Sequence, residues 1–156
     1  MTYQFFYFEP QFFEALFELN HAFTYLIHPE EVKVEGFDAE KYANEHRGYL
    51  KKNSKSTFYR HFLGAQNDEL VGYIWFGQSD DNRKEGFIGE LFVKPDHRKK
   101  GIAQRFITEA LTWMREKECT SCEIDLIDTG TNAKPLYKKM GFTKAPDQDD
   151  VFILAF

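Results

Sequence analysis

Cysteine is scarce in this chain, with two in 156 residues. They stand as Cys119-x-x-Cys122, a spacing that suggests redox chemistry or half of a zinc site. A zinc site needs two more ligands, and the five histidines (His21, His28, His46, His61, His97) supply no H-x3-5-H pair. A thioredoxin-like pair opens a helix after a strand, whereas this one lies between a helix and the next strand. Two ordinary small residues at an element boundary are the simpler reading, and no metal is expected. No apolar run approaches the length of a membrane span, and the N-terminus has neither the basic flank nor the small-residue cleavage site of a signal peptide. A cytoplasmic protein without a membrane partner is expected. Positive charge is also in deficit: 20 basic against 25 acidic residues, a net charge of -5 and a pI near 5.6. Phosphate backbones select basic surfaces, so nucleic acid is not expected as a partner, while cationic small molecules are compatible. There is no internal repeat, low-complexity tract or linker, and residues 1–156 are taken as one domain.

Aromatic residues are abundant instead, at 17% with 17 Phe. Much of this sits in "YQFFYFEPQFFEALFEL", which is read as core, with an apolar contact surface as the alternative. A strand is expected near Tyr3–Phe8, then a helix opened by Pro10 and running to about Leu26, where His28-Pro29 ends it. A second helix is expected from an Asp38 N-cap to Leu50, followed by the polar run "KKNSKS". The basic patch Arg47 through Lys55 is read as a solvated face rather than an anion site.

From Thr57 the apolar period becomes that of strands: "FYRHFLGA", a turn at Asn67-Asp68, "ELVGYIWFGQ", the loop "SDDNRKE" and "GFIGELFV". A long helix follows, with Ile102, Ala103, Phe106, Ile107, Ala110, Leu111 and Met114 on one stripe. The next strand, "CEIDLI", comes after strand and helix, so a right-handed crossover and parallel pairing with "ELFV" are expected. A short helix closed by Gly141 and two final strands complete an α+β fold: a mixed, mostly antiparallel sheet of six to seven strands with helices on both faces.

The stretch "RKKGIA" stands at the start of the long helix. A helix start leaves amide N–H groups unpaired, and Gly101 carries no side chain where backbone would approach a ligand. Arg98, Lys99 and Lys100 add charge where the helix dipole already favours anions. The bland alternative is a loop kept soluble by its cations. The phosphate motifs G-x-x-x-x-G-K-[ST] and G-x-G-x-x-G are both absent. The pattern resembles the R/Q-x-x-G-x-G/A motif of the GNAT N-acetyltransferase superfamily, through Arg98, Gly101 and Ala103. A second segment, "NAKPLYKKMGF", resembles that family's L-Y-x-x-x-G-F through Leu136, Tyr137, Gly141 and Phe142. The resemblance spans Phe58 to the C-terminus.

That resemblance implies a GNAT-like fold and acetyl-CoA as cosubstrate. Leu91, Phe92 and Val93 would offer backbone groups to its pantetheine, and Arg98, Lys99, Lys100, Gly101, Ile102 and Ala103 would hold its pyrophosphate through main-chain N–H groups. Many relatives carry an Asn where this chain has Gly130, and Asn132 is the candidate substitute. Tyr137 is expected to protonate the leaving thiolate, with a structural packing role as its alternative. Glu90 is expected to take the proton of the acceptor amine, with an exposed structural carboxylate as its alternative. Some relatives would place a carboxylate at the position of Gly89. His28 and Glu30 are expected to line the acceptor pocket. Cys119 falls at the remote end of the long helix, so direct transfer in a ternary complex is preferred to an acyl-cysteine. The expected acceptor is a primary amine on a small molecule or protein, and a homodimer is the assembly the family commonly forms. Two other classes stay open: a non-catalytic acyl-CoA-binding or sensing module, and a protein-interaction domain that exposes its aromatic segment.

Overall fold

A computed structural model describes residues 2–27, 29–30, 33–126 and 133–156. The elements, in chain order, are β1 (Gln4–Tyr7), α1 (Phe13–Ile27), α2 (Ala39–Ser54), β2 (Tyr59–Gln66), β3 (Glu69–Gln78) and β4 (Glu85–Val93). They continue as α3 (Ile102–Glu116), β5 (Ser121–Asp125), α4 (Lys134–Lys139), β6 (Thr143–Lys144) and β7 (Val151–Ala155). Local chemistry sets most of the boundaries. Pro10 opens a short 3-10 turn that leads into α1. Asp38 caps α2, its carboxylate accepting from the Lys41 N–H at 3.0 Å. Asn67 and Asp68 take positive φ of 51° and 63°, the conformation of a tight hairpin between β2 and β3.

The strands form one sheet in the order β1-β2-β3-β4-β5-β7-β6. All pairings are antiparallel except β4 with β5. On one face α3 buries Ile102, Phe106, Ile107, Ala110, Leu111 and Met114 against Ile74, Phe76, Ile88 and Leu91. On the other, Leu16, Phe17, Leu19 and Phe23 of α1 and Leu50 of α2 pack on Leu63, Tyr73 and Phe92. Each fully buried side chain of this size contributes about 1.5–3 kcal/mol, so both faces are needed for stability. The aromatic N-terminal segment is core: Phe5 packs on the α3 side, and Phe6, Phe8, Phe12 and Phe13 on the α1 side.

Three expectations are corrected. The "KKNS" of the polar run is the last turn of α2, because Leu50 and Asn53 are buried and carry the helix to Ser54. The long helix, expected from Lys100 to about Glu118, runs over Ile102–Glu116, since Gly101 is left-handed and serves as its N-cap. The parallel partner of β5 is Glu85–Ile88, not "ELFV". Pairing with β4 ends at Ile88 opposite Ile124, while β5 stays paired with β7 through Asp125 opposite Val151.

Candidate active site

Beyond Ile88, where the pairing with β5 ends, Leu91–Val93 of β4 pair with β3. Among the described residues no strand covers the other edge of this segment. Its main-chain N–H and C=O groups are therefore available to a ligand lying between β4 and β5. The expected contacts of Leu91, Phe92 and Val93 fall on this open edge.

A β-bulge sits at the same point. Trp75 lies opposite Glu90 and Phe76 opposite Ile88, so Gly89 is the extra residue. A bulge turns two successive residues to one face. Glu90 consequently shares a face with Tyr73 and Phe92, the face that α1 covers. The indole of Trp75 lies across Gly89, where an added Cβ would meet its Cε3 at 2.4 Å. No side chain, and so no carboxylate, fits at Gly89 unless Trp75 moves.

Glu90 is held from two elements. Its Oε2 accepts from the Tyr73 hydroxyl at 2.9 Å and from Asn20 Nδ2. Asn20, 2% exposed on α1, also donates to the Tyr73 hydroxyl at 2.7 Å. Burial first, and then the neighbouring Glu90 charge, push the Tyr73 phenol well above its ordinary pKa, so it stays a donor. Beside Trp75, His61 stacks at 6.2 Å between ring centroids; burial lowers its pKa to about 3, and its imidazole is neutral.

The anion-binding end is built mainly from backbone. After a 3-10 turn at Pro95–His97, Lys99 (φ 60°) and Gly101 (φ 83°) are both left-handed. Gly101 is thus favoured by conformation, and a Cβ there would meet no protein atom within 4 Å. No side chain caps α3, and its first turn contains no acidic residue. The amides of Ile102, Ala103 and Gln104 have no intrahelical acceptor and face that open space with the positive end of the helix dipole. Two of the three cations are used locally: Arg98 Nε donates to Val93 O at 2.8 Å, and Lys100 Nζ to Asp96 O at 3.0 Å. Arg98 therefore fastens the loop to the end of β4, and Lys99 is exposed.

Tyr137, on α4, is 0% exposed and packs edge-on against Phe142 at 5.5 Å. Its hydroxyl has no hydrogen-bond partner among the described residues. Burial, with a smaller contribution from Cys122, raises its pKa far above the ordinary value, so the proton stays on the oxygen. An orphaned, protonated phenol is suited to donate to a group that enters. The edge of β4 at Leu91–Val93, the uncapped start of α3 and this hydroxyl are the three features that the acyl-CoA expectation calls on.

Of the remaining expected positions, His28, Gly130 and Asn132 lie outside the described residues. Glu30 is exposed and pairs with Lys33 at 3.8 Å. Cys119 and Cys122 are free and buried, and burial raises both thiols, leaving them unreactive. Asn20, Tyr73, His61 and Trp75 escaped the sequence reading. A lone Asn in the apolar stripe of α1 was the one available signal.

The acetyltransferase (GNAT) family model matches residues 12–142. Among curated proteins, thialysine N-epsilon-acetyltransferase of Bos taurus is 27% identical over 74 residues, covering 46% of this chain and 44% of that protein. The chain spans about half the length of the curated relatives it matches. A solved GNAT acetyltransferase of Staphylococcus aureus has a TM-score of 0.73 at 15% identity, over 99% of both chains. An N-acetyltransferase of Thermoplasma acidophilum, PaiA, solved with coenzyme A, has a TM-score of 0.70 at 16% identity, over 98% of this chain and 97% of its own. These structures share the fold. With the family model covering 131 consecutive residues, the chain belongs to the acetyltransferase (GNAT) family.

Proposed function

We propose that the protein is a cytoplasmic, acetyl-CoA-dependent N-acetyltransferase that moves an acetyl group to a primary amine by direct transfer in a ternary complex. The observation that carries this reading is the buried hydroxyl of Tyr137, which has no hydrogen-bond partner among the described residues. Leaving such a group unsatisfied costs about 1–3 kcal/mol, a cost with no structural return in the free protein.

Acetyl-CoA, when bound, supplies a thioester carbonyl for attack and a thiolate to leave. The amides of Ile102, Ala103 and Gln104, with the charge of Lys99 nearby, hold its pyrophosphate. The open edge of β4 at Leu91–Val93 takes its pantetheine arm, and an N–H near Val93 serves the carbonyl oxygen as it gains charge. Glu90 accepts a proton from the acceptor ammonium and passes it to solvent, which frees the nitrogen lone pair to form the new C–N bond; the nitrogen then gives its second proton to Glu90 as the amide forms. Tyr137 gives its proton to the sulfur as the C–S bond breaks and is reprotonated from solvent.

The acceptor is cationic in the reading supported by Glu90 and the net charge of -5. Small-molecule and protein amines both belong in the screen, with thialysine and lysine included because of the name of the bovine relative. The test is thiol release from acetyl-CoA across that panel, alongside a thermal shift with acetyl-CoA alone. Stabilisation together with amine-dependent thiol release is expected. Stabilisation without turnover on any amine would leave a non-catalytic acyl-CoA-binding module, and no stabilisation at all would remove acyl-CoA from the account.

A further inference from the structure

The polar triangle beneath α1 is an unusual thing to bury. Asn20 is the one polar residue among the buried positions described on α1, alongside Leu16, Phe17, Leu19 and Phe23. Its amide reaches both the Tyr73 hydroxyl and Glu90 Oε2, and Tyr73 itself donates to the same carboxylate oxygen. Three elements, α1, β3 and β4, thus converge on one oxygen. An apolar trio of the same shape would pack here without the desolvation that polar groups suffer. The arrangement gains one thing that apolar packing lacks, which is a carboxylate with fixed direction and two donors that favour its charged form.

We infer that Asn20 and Tyr73 are positioning residues for acetyl transfer, holding Glu90 ionised and in one rotamer so that it can take the proton of the acceptor. The inference rests on the acetyl-transfer reading above. The Gly89 bulge contributes by turning Glu90 onto the α1 face, within reach of both donors. Among the described residues, Tyr73 on β3 donates to the carboxylate, His61 on β2 lies 6.4 Å from the Tyr73 ring, and α1 contributes the neutral Asn20. Tyr73 stays protonated and His61 neutral in the working range, so neither competes with Glu90 for the titration.

The test separates the network from the chemistry. In protein carrying carboxyl-labelled glutamate, the Glu90 resonance, assigned by its loss in Glu90→Gln, is titrated in the parent, in Tyr73→Phe and in Asn20→Leu. Tyr73→Phe keeps the ring and Asn20→Leu nearly keeps the volume, so at least one should fold. Losing a donor to the charged form should move the midpoint up by about one pH unit, a tenfold change in the ionisation constant. The acid limb of kcat/KM should move up with it, while the KM for acetyl-CoA stays constant. A merely structural role would lower thermal stability and scale the rate equally at every pH, with no movement of the midpoint, and that result would overturn the inference. Full kcat/KM in Glu90→Gln would overturn it too, leaving acetyl transfer itself intact. A moving midpoint in a protein that acetylates no amine would instead take down the acetyl-transfer reading and the positioning role together.

Discussion

The two faces of the sheet are built on different chemistry. The face under α3 is an apolar block of Phe, Ile, Leu and Met side chains, and its notable polar atom is the orphaned Tyr137 hydroxyl. The face under α1 and α2 contains a connected polar set, Asn20, Tyr73 and Glu90, with the neutral histidine His61 beside Trp75. The first face presents helix amides and one proton donor, which is what an acyl donor with a phosphate arm needs. The second presents a carboxylate, which is what a cationic acceptor needs. In the proposed reaction the two would meet beside Leu91–Val93, with the sheet keeping the substrates apart everywhere except at the bond to be formed.

The sharpest way to break this contrast is Tyr137→Phe. Turnover at saturating acetyl-CoA should fall by about 100- to 10,000-fold, seen in kcat more than KM. Because the hydroxyl is unsatisfied, stability should stay level or rise, by up to about 1 kcal/mol in urea unfolding. An unchanged kcat would return Tyr137 to a packing role. Next in size is the helix start. Gly101→Asn tolerates the left-handed backbone and Gly101→Val does not, yet both put atoms into the same open space. Acetyl-CoA affinity by calorimetry should drop at least about tenfold in both, with only the valine losing about 1–3 kcal/mol of stability. A folded Gly101→Asn with full affinity would show that glycine is there for conformation alone.

A smaller effect belongs to the α1 face. Burial lowers the pKa of His61 to about 3, whereas the unfolded chain titrates near 6.5. Above 6.5 the contribution is level. Below it only the unfolded state takes up the proton, so stability falls by about 1.4 kcal/mol per pH unit until the folded value is reached. Burial holds His46 down to about 4, which adds a loss of the same sign. His61→Phe should flatten this slope in urea unfolding between neutral pH and about pH 4.5, and an unchanged slope would assign the acid sensitivity elsewhere. The smallest effect is expected from Arg47→Met. Arg47 pairs with Glu14 at 2.5 Å and lies 4.0 Å over the Phe17 ring, so it is committed to joining α1 and α2. Stability should fall by less than about 1 kcal/mol and acetyl-CoA affinity should not change. Weakened binding would reopen the basic run as an anion site.

Much of this plan was legible because local rules dominate it. Proline, glycine and the Asn67-Asp68 turn mark element ends, and β3 runs over Glu69–Gln78 as its alternation predicts. The stripe on α3 identifies its buried face, with Trp113 added because the edge of the stripe also reaches Phe76. Pairing was harder. Whether β5 lies beside the first or second half of β4 is decided by where the crossover returns, which no residue in either strand encodes. The direction of Glu90 was similarly hidden, since strict alternation fails at a bulge and Gly89 has several ordinary reasons to be glycine. Asn20 could not be tied to Glu90, 70 positions away, without the fold.

The short parallel ladder has a mechanical meaning. Four residue pairs between β4 and β5 are what stitch the β1–β4 half of the sheet to the β5, β7 and β6 half. The broad half has long ladders of its own, while the narrow half hangs on this seam and on α3. A guest threaded along Leu91–Val93 would act as a splint across the seam, adding a partner to a stretch that, among the described residues, pairs with β3 alone. If acetyl-CoA binds there as proposed, rigidity in this protein would be partly borrowed from its substrate: the molecule would be most nearly a single body when loaded.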